Sequence, residues 1–304
     1  MINKYFTDKN SLDIPWIESP FFYSILEHSN LTEDQKKLCS DFYENGYVVV
    51  DLNLKDDDIS PILHDMYDAL NDDSTVFHAD HFTYTDAKRI FEGWKQSEHI
   101  ANLTLHPKLI DTLNTLYGKE PFPFSTINFI KGSNQPLHSD VVHFHTIPSL
   151  WMCGVWIALE DVDETNGSLK IVPGSHKWPV YEYNNLKLPH PDTIENGEAV
   201  TYKEYETFIE SLVQNNGIDP YVVKLKKGQA LIWAANMLHG GSNTEGVTDL
   251  NKTRLTQAIH YFFGGCEQYY HPMFSEKTKA KYATKWCNDT NNIKTYLNEK
   301  SKLQ

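Results

Sequence analysis

Arginine is nearly absent from this chain of 304 residues. Only Arg89 and Arg254 supply it, and the other 25 of the 27 basic residues are lysine. Such a chain has few guanidinium forks that could bind a carboxylate or phosphate through two parallel hydrogen bonds. We attribute Arg89 to compositional bias and assign it no function. Arg254 is considered below together with the motifs that surround it.

Positive charge as a whole is also in deficit. The 27 lysines and arginines stand against 41 aspartates and glutamates, which gives a net charge of −14. An acidic chain is poorly suited to the phosphate backbone of nucleic acids or to anionic lipid, so we expect neither as a partner. The lysines of 277–302 are interpreted as a solvated helical face.

Cysteines and long apolar runs are scarce as well. The four cysteines lie far apart and include no Cys-x-x-Cys pair, which argues against a disulfide framework and a cysteine-rich zinc site. No apolar run approaches the roughly 18 residues that a membrane span needs. The first residues show neither an apolar signal core nor a cleavage motif. We therefore expect a soluble, reduced, cytoplasmic protein.

Signals for helices and short strands are present in quantity. Helices are predicted over about 33–45, 58–70 and 107–117, the first from the capping-box pattern of Thr32 and Gln35. From about residue 122 onward, short strand-like runs alternate with turns. The predicted strands are Tyr47–Val50, Phe124–Ile130, Leu150–Leu159, Ser168–Val172, Tyr221–Leu225, Ala230–Trp233 and Leu255–Phe263. This pattern favours a mainly β jelly-roll core with flanking helices.

These segments predict a single domain over residues 1–304. An N-terminal arm and helices occupy about 1–120, and the β core occupies about 121–265. An insert at about 180–220 interrupts the core and contains a predicted helix at 202–215. Polar helices are expected over about 266–304. Whether the insert closes over the site is left open.

The segment Gln135-Pro136-Leu137-His138-Ser139-Asp140 carries the clearest chemical signal. His138 and Asp140 are two residues apart, so on a strand both side chains point to the same side. An imidazole and a carboxylate that meet at one point suit Fe(II), Mn or Zn. The pair alone is a weak signal, because chance produces several such pairs among 14 histidines and 41 acids.

Two further residues strengthen this signal. His239 follows an apolar strand and precedes two glycines, and Arg254 opens a later strand. Two histidines and one carboxylate leave metal positions open, as in the facial triad of non-haem Fe(II) oxygenases. The guanidinium of Arg254 offers a planar fork to a carboxylate. The alternative is three unrelated polar residues, but a buried and unpaired Asp140 would be costly without a metal.

These residues and their surroundings resemble the phytanoyl-CoA dioxygenase family of Fe(II)- and 2-oxoglutarate-dependent oxygenases. The resemblance is also carried by the stretches Val155–Val162 and Asn166–His176 and by the pair Leu238-His239. The resemblance covers about 32–265. It implies a double-stranded β-helix, which is a cupin-like jelly roll, in agreement with the strand pattern.

The resemblance also implies a role for each residue of the site. Fe(II) would have three protein ligands: His138, Asp140 and His239. The 2-oxoglutarate pocket would be formed by Arg254, Thr256, Gln135, Asn128 and Trp156. Within this group, Arg254 would pair with the distal carboxylate and Thr256 would share it. His143 and His145 lie in the loop at 141–150, where substrate contact is weighed against an exposed loop position.

The implied reaction is hydroxylation of an aliphatic C–H bond in a small or carrier-linked metabolite. Molecular oxygen and 2-oxoglutarate are consumed, and succinate and CO2 are released. Related halogenases have a small residue in place of the metal carboxylate, so Asp140 favours oxygenation.

The alternatives are a catalytically silent jelly-roll protein that binds a metal or small molecule, and a cupin-like enzyme that uses a different metal without 2-oxoglutarate. The intact triad argues against the first, and Arg254 with Thr256 argues against the second. The substrate and the oligomeric state stay open.

Several conspicuous residues are interpreted structurally. His176 is expected to tie down a loop, and His260 to be a strand residue rather than a metal ligand. Trp151 and Trp233 are expected to pack in the core.

Overall fold

The computed structural model describes residues 7–71, 89–183, 185–188, 194–195, 198–242 and 252–270. The helices predicted for 266–304 fall mostly outside these ranges, as does the lysine face at 277–302. The described start of that region is not helical. Glu267–Tyr270 forms a strand, because its backbone pairs with Phe144–Ile147.

Among the described residues, five α-helices lie in the N-terminal part of the chain. They are α1 (Phe22–Glu27), α2 (Glu33–Asn45), α3 (Asp56–Asn71), α4 (Glu98–Thr104) and α5 (Pro107–Tyr117). The sequence predicted α2, α3 and α5 but not the short α1 and α4. Helix α2 begins where expected because Thr32 and Gln35 form the capping box, and it ends at Gly46, which adopts a left-handed conformation (φ 80°).

The sixth helix, α6 (Val200–Asn215), confirms the helix predicted within the insert. None of the helices in the described ranges is both long and apolar enough to cross a membrane.

The described strands form two principal antiparallel sheets. They are β1 (Tyr47–Asp51), β2 (Arg89–Phe91), β3 (Pro121–Phe129), β4 (Phe144–Ile147), β5 (Met152–Ala158), β6 (Leu169–Ile171), β7 (Ile194–Glu195), β8 (Glu198–Ala199), β9 (Tyr221–Val222), β10 (Gln229–Ala234), β11 (His239–Gly241), β12 (Thr256–Phe263) and β13 (Glu267–Tyr270). The large sheet has the order β1-β10-β5-β12-β3-β2, and the small sheet has the order β11-β6-β9. Most neighbouring strands are distant in sequence, as in a jelly roll.

The two faces of the large sheet have different neighbours, because side chains alternate along each strand. On β5, Val155 and Ile157 pack into the apolar cluster that includes residues of α1 to α5. Trp156 and Ala158 point to the opposite face. That inner face and the small sheet enclose a cavity of about 180 Å³. The helices therefore support the sheet from outside, and the cavity lies within the β core.

His176 ties the loop after β6 to the end of α2, as the sequence analysis expected. Its side chain is 5% exposed, and its Nε2–H donates to the carbonyl oxygen of Tyr43 (3.0 Å). Burial lowers the pKa of His176 to about 4. The imidazole is therefore neutral at pH 7.

We expect His176→Leu to lower the free energy of unfolding by about 1 kcal/mol at pH 7, because one buried hydrogen bond is lost. The difference from wild type should shrink as the pH falls from 6.5 towards 4. The folded-state pKa lies below the unfolded value of 6.5. As the pH falls, the His176 side chain is protonated in the unfolded chain before it is protonated in the folded protein. The wild type therefore loses stability between about pH 6.5 and pH 4. Urea unfolding at pH 7 and pH 5 measures both values, and an equal difference at the two pH values would contradict this account.

Candidate metal centre

The two histidines of the predicted triad are joined through their backbones. The N–H of His138 donates to the carbonyl oxygen of His239 (2.9 Å), and the N–H of His239 donates to that of His138 (3.0 Å). The residue after His239 has to be glycine for this approach. A Cβ at Gly240 would lie 2.7 Å from the carbonyl oxygen of Gln135. This close pairing explains the glycine that follows the histidine and sets both imidazoles side by side.

Each imidazole is oriented by the carbonyl group two residues before it. The Nδ1–H of His138 donates to Pro136 (2.9 Å), and the Nδ1–H of His239 donates to Met237 (3.0 Å). The two Nε2 atoms are thereby left as acceptors that face the same point. Burial lowers the pKa of His138 to about 3, so this ring is neutral and able to bind a metal at pH 7.

Asp140 completes the cluster from the side of His138. Its carboxylate is buried, and its Oδ1 lies 3.9 Å from Nε2 of His138 and 3.6 Å from Nε2 of His239. Burial acts to raise the pKa of Asp140, but the three neighbouring histidines and a hydrogen bond from Trp233 bring it below its ordinary value. The carboxylate is therefore ionised.

The ligand atoms of these three residues lie within 4.8 Å of one another, and within the described ranges no other cluster of this kind is found. One ion with bonds of about 2.0–2.2 Å could contact all three after small side-chain adjustments. Two imidazoles and one buried carboxylate suit a divalent transition metal and leave part of its coordination sphere open. The donor set thus fits the ion that the sequence implied.

Arg254 enters the same cavity from the segment just before β12. Its side chain is 1% exposed, its Nη1 donates to the carbonyl oxygen of Gly167 (2.9 Å), and its guanidinium lies 4.7 Å from the ring centre of Phe129. Its Nε has no hydrogen-bond partner in the described part of the chain. Burial and, to a smaller extent, Arg89 lower the pKa of Arg254 to about 9. A buried cation with a spare donor at a cavity wall fits a carboxylate ligand.

The structure brings three more of the predicted pocket residues to this region. Gln135 and Trp156 line the cavity. The indole N–H of Trp156 is buried and has no acceptor among the described residues. Thr256 shares the inward face of β12 with Arg254 and has a buried hydroxyl without a described partner, although it does not reach the cavity wall.

Asn128 and His145 are not brought to the cavity. Ile127 and Phe129 line it, so Asn128 between them points to the outer face of the sheet, where its amide nitrogen donates to the side chain of Gln257 (3.1 Å). His145 alternates in the same way with the cavity-lining Phe144 on β4.

Helix α6 of the insert lies directly behind the cavity wall, where Tyr202 contacts two of the lining residues. The amide nitrogen of Gln135 donates to the Tyr202 hydroxyl (3.2 Å) and lies 3.3 Å from Nε2 of His138. The same hydroxyl lies 3.1 Å from Nε2 of His143, which also lines the cavity. One turn later, the Tyr205 hydroxyl accepts the N–H of Ser139 (3.3 Å). The insert therefore contacts the segment that carries two metal ligands, and no sequence motif had singled out either tyrosine.

Two residues to which we gave no part in the site line the same cavity. Arg89 is 5% exposed, and its guanidinium lies 5.4 Å from the ring centre of Phe129, so it lies at the cavity although the sequence analysis assigned it no function. The rarity of arginine in this chain was the signal that could have identified Arg89 as a cavity residue. His260 is a strand residue as predicted, but its Nε2 lies 3.8 Å from Oδ2 of Asp140. Its even spacing from Arg254 along the chain, which predicts the same strand face, would have placed it there.

Trp233 differs from the expectation of simple core packing. It is buried, but its indole N–H donates to Oδ2 of Asp140 (2.8 Å). It therefore contacts the metal cluster directly.

Comparison with known proteins gives three kinds of match. A family model described as phytanoyl-CoA dioxygenase (PhyH) matches residues 42–246. The peroxisomal phytanoyl-CoA dioxygenase of Rattus norvegicus is 24% identical over 184 residues, which is 55% of this chain and 54% of the relative. The ectoine dioxygenase of Nocardia farcinica is 24% identical over 216 residues, or 67% of this chain and 71% of the relative. The chain spans about half the length of the peroxisomal phytanoyl-CoA dioxygenases of rat, mouse and cattle.

Solved structures show the same fold. EctD from S. alaskensis, crystallised with 2-oxoglutarate and 5-hydroxyectoine, has a TM-score of 0.56 at 19% identity. The match covers 78% of this chain and 79% of the EctD chain. The non-heme alpha ketoglutarate dependent carbocyclase SnoK has a TM-score of 0.57 at 17% identity, covering 83% and 91%. These matches confirm the predicted fold, a mainly β jelly roll of the double-stranded β-helix type with flanking helices.

We expect His239→Ala to weaken Co(II) binding by at least about a hundredfold, because it removes a direct metal ligand. Co(II) is a convenient probe, since its visible spectrum reports the ligand set. The matched control is His260→Gln, which alters a buried histidine of the same cavity that lies outside the ligand cluster. Its affinity should change less than about tenfold. Equal losses in the two variants, measured by spectroscopic titration, would contradict the assignment of ligands.

Proposed function

Because the chain belongs to the phytanoyl-CoA dioxygenase family, we propose that it is an Fe(II)- and 2-oxoglutarate-dependent dioxygenase that hydroxylates an aliphatic C–H bond of a small molecule. One observation carries the proposal. The buried guanidinium of Arg254, with its spare Nε–H, lines the same cavity as His138, Asp140 and His239. An anionic co-substrate can therefore reach the metal ligands and the arginine together.

Each group of the cavity has a separate task in this proposal. His138, Asp140 and His239 would hold Fe(II), which when bound supplies O2 activation coupled to decarboxylation of 2-oxoglutarate. Arg254 would bind the distal carboxylate of 2-oxoglutarate by charge-assisted hydrogen bonds, and Thr256 would support it from the same strand face. Oxygen atoms of the ligand would offer acceptors to the N–H groups of Trp156 and Gln135. These donors are already oriented, which lowers the entropy lost on binding.

The remaining lining of the cavity is largely apolar. Ile127, Phe129, Phe144 and Leu169 contribute to it. Apolar walls exclude water from the reacting atoms and strengthen the electrostatic contacts inside. The same lining leaves space for the C–H group that would be oxidised.

The two alternatives are less well supported by this arrangement. A silent protein that only binds a metal or a small molecule has no need of three oriented metal ligands and a buried arginine in the same cavity. A cupin-like enzyme that does not use 2-oxoglutarate has no need of a buried arginine with a spare donor in the metal cavity. Both features are present in one cavity.

We propose a small-molecule substrate, since relatives include an ectoine dioxygenase and a probable alpha-ketoglutarate-dependent hypophosphite dioxygenase. His143 lines the cavity 6.0 Å from the His138 ring, centre to centre, and is the proposed substrate contact. Arg89 adds a second guanidinium to the wall, which favours ligands that carry negative charge. We further propose one oxygenase domain, because the N-terminal helices pack on the sheet that bears the site.

We expect Arg254→Ala to weaken 2-oxoglutarate binding at least tenfold, because a charge-assisted pair worth about 1.5–3 kcal/mol is lost. Calorimetric titration of the Mn(II)-loaded protein measures the dissociation constant without turnover. The matched control is Lys252→Ala, which removes an exposed cation two positions away whose Nζ donates to Thr165. Lys252→Ala should bind 2-oxoglutarate like wild type. Unchanged affinity in Arg254→Ala, or equal losses in both variants, would remove Arg254 from the co-substrate site.

A further inference from the structure

We propose that Trp233 is a positioning residue that holds Asp140 as a metal ligand through one oxygen only. The inference rests on the proposed function in one respect, namely that the cluster of His138, Asp140 and His239 binds a metal ion. It assigns to Trp233 a task that packing alone would not require.

The two oxygens of Asp140 have different surroundings. Oδ1 faces the Nε2 atoms of His138 and His239 at 3.9 Å and 3.6 Å. Oδ2 is turned away from them and accepts the indole N–H of Trp233 at 2.8 Å. A metal ion between the three ligands would therefore meet Oδ1. Binding through both oxygens would have to use Oδ2 as well, which already accepts the Trp233 N–H.

The large sheet places the indole at this point. Trp233 on β10 stands directly opposite Gly154 on β5 in the antiparallel register. A Cβ at position 154 would overlap the indole ring and lie 2.7 Å from its Nε1. The absence of a side chain at Gly154 therefore lets the indole lie across β5 and extend towards Asp140. On its other side, the ring lies 4.8 Å from the His239 ring, centre to centre.

The chemistry of indole makes the contact one-directional. The Nε1–H of tryptophan can only donate, so it favours the ionised carboxylate as its acceptor. Trp233 is 2% exposed, and a buried donor that loses its acceptor carries a free-energy penalty. Rotation of Asp140 away from the indole would break this bond. Trp233 therefore restrains the orientation of the ligand.

A carboxylate that binds through one oxygen would leave more coordination positions of the metal open to small molecules. A carboxylate that coordinates through both oxygens takes one position more than a carboxylate that coordinates through one. Two histidines and one oxygen leave three positions of a six-coordinate ion, enough for a two-point co-substrate and for O2. The indole thus protects the open face on which the proposed reaction depends.

Trp233→Phe tests the inference in the full chain, with Co(II) as the metal and no 2-oxoglutarate present. Phenylalanine keeps an aromatic ring but removes the N–H. We expect the dissociation constant for Co(II) to rise about 10–100-fold, as is typical when a partner of a metal ligand is lost. The visible Co(II) spectrum should also change, because the freed carboxylate can offer its second oxygen.

Trp151→Phe is the matched control. Trp151 is also 2% exposed, but it packs among the residues of the helix-facing cluster, and its indole N–H has no acceptor in the described ranges. Its Co(II) affinity and spectrum should equal those of wild type within about twofold. Wild-type affinity and spectrum in folded Trp233→Phe would overturn the inference while leaving the proposed function intact. Failure of the wild type to bind Co(II) would overturn both.

A second measurement needs no substitution and covers the case in which Trp233→Phe does not fold. Protein labelled with ¹⁵N-tryptophan gives one indole N–H resonance for each of the seven tryptophans. We expect one of these to be protected from solvent exchange and to shift when Zn(II) is added, because its acceptor becomes a metal ligand. If no indole resonance responds to Zn(II) that binds the protein, the inference is wrong.

Discussion

The backbone pairing of His138 with His239 is the constraint on which the site depends. Two reciprocal hydrogen bonds hold together segments that are distant in the chain, and Gly240 makes the approach sterically feasible. Once the two backbones are joined, the carbonyl groups of Pro136 and Met237 orient the rings. Asp140 follows His138 by two residues and is brought to the same point. The metal site is thus a consequence of how the β core closes.

Two buried charges determine which ligands this cavity favours. Asp140 and Arg254 are both buried, and both line one largely apolar cavity. Isolated buried charges are costly, so their retention is best explained by ligands that neutralise them, a cation at Asp140 and a carboxylate at Arg254. The low polarity of the walls strengthens both contacts. Helix α6 supports these walls from behind, because Tyr202 hydrogen-bonds the lining residues Gln135 and His143.

Local patterns were sufficient to predict much of this molecule, and long-range register accounts for what they missed. The capping box predicted the start of α2, and the spacing of His138 and Asp140 predicted a shared direction that the structure displays. The contact from Trp233 to Asp140 depends on Trp233 standing opposite Gly154, which no local motif reveals. Asn128 was predicted to line the pocket but lies on the outer face of the sheet, because neighbouring residues on a strand point to opposite faces. Strands β4, β11 and β13 are short and are defined only by distant partners.

The central claim is that one cavity binds Fe(II) and 2-oxoglutarate together. Anaerobic addition of both to the purified protein tests it most directly. The account predicts a weak visible charge-transfer band that appears only when Fe(II) and 2-oxoglutarate are present at the same time, saturating at one Fe(II) per chain. A folded protein that binds Fe(II) but shows no such band at saturating 2-oxoglutarate would contradict it.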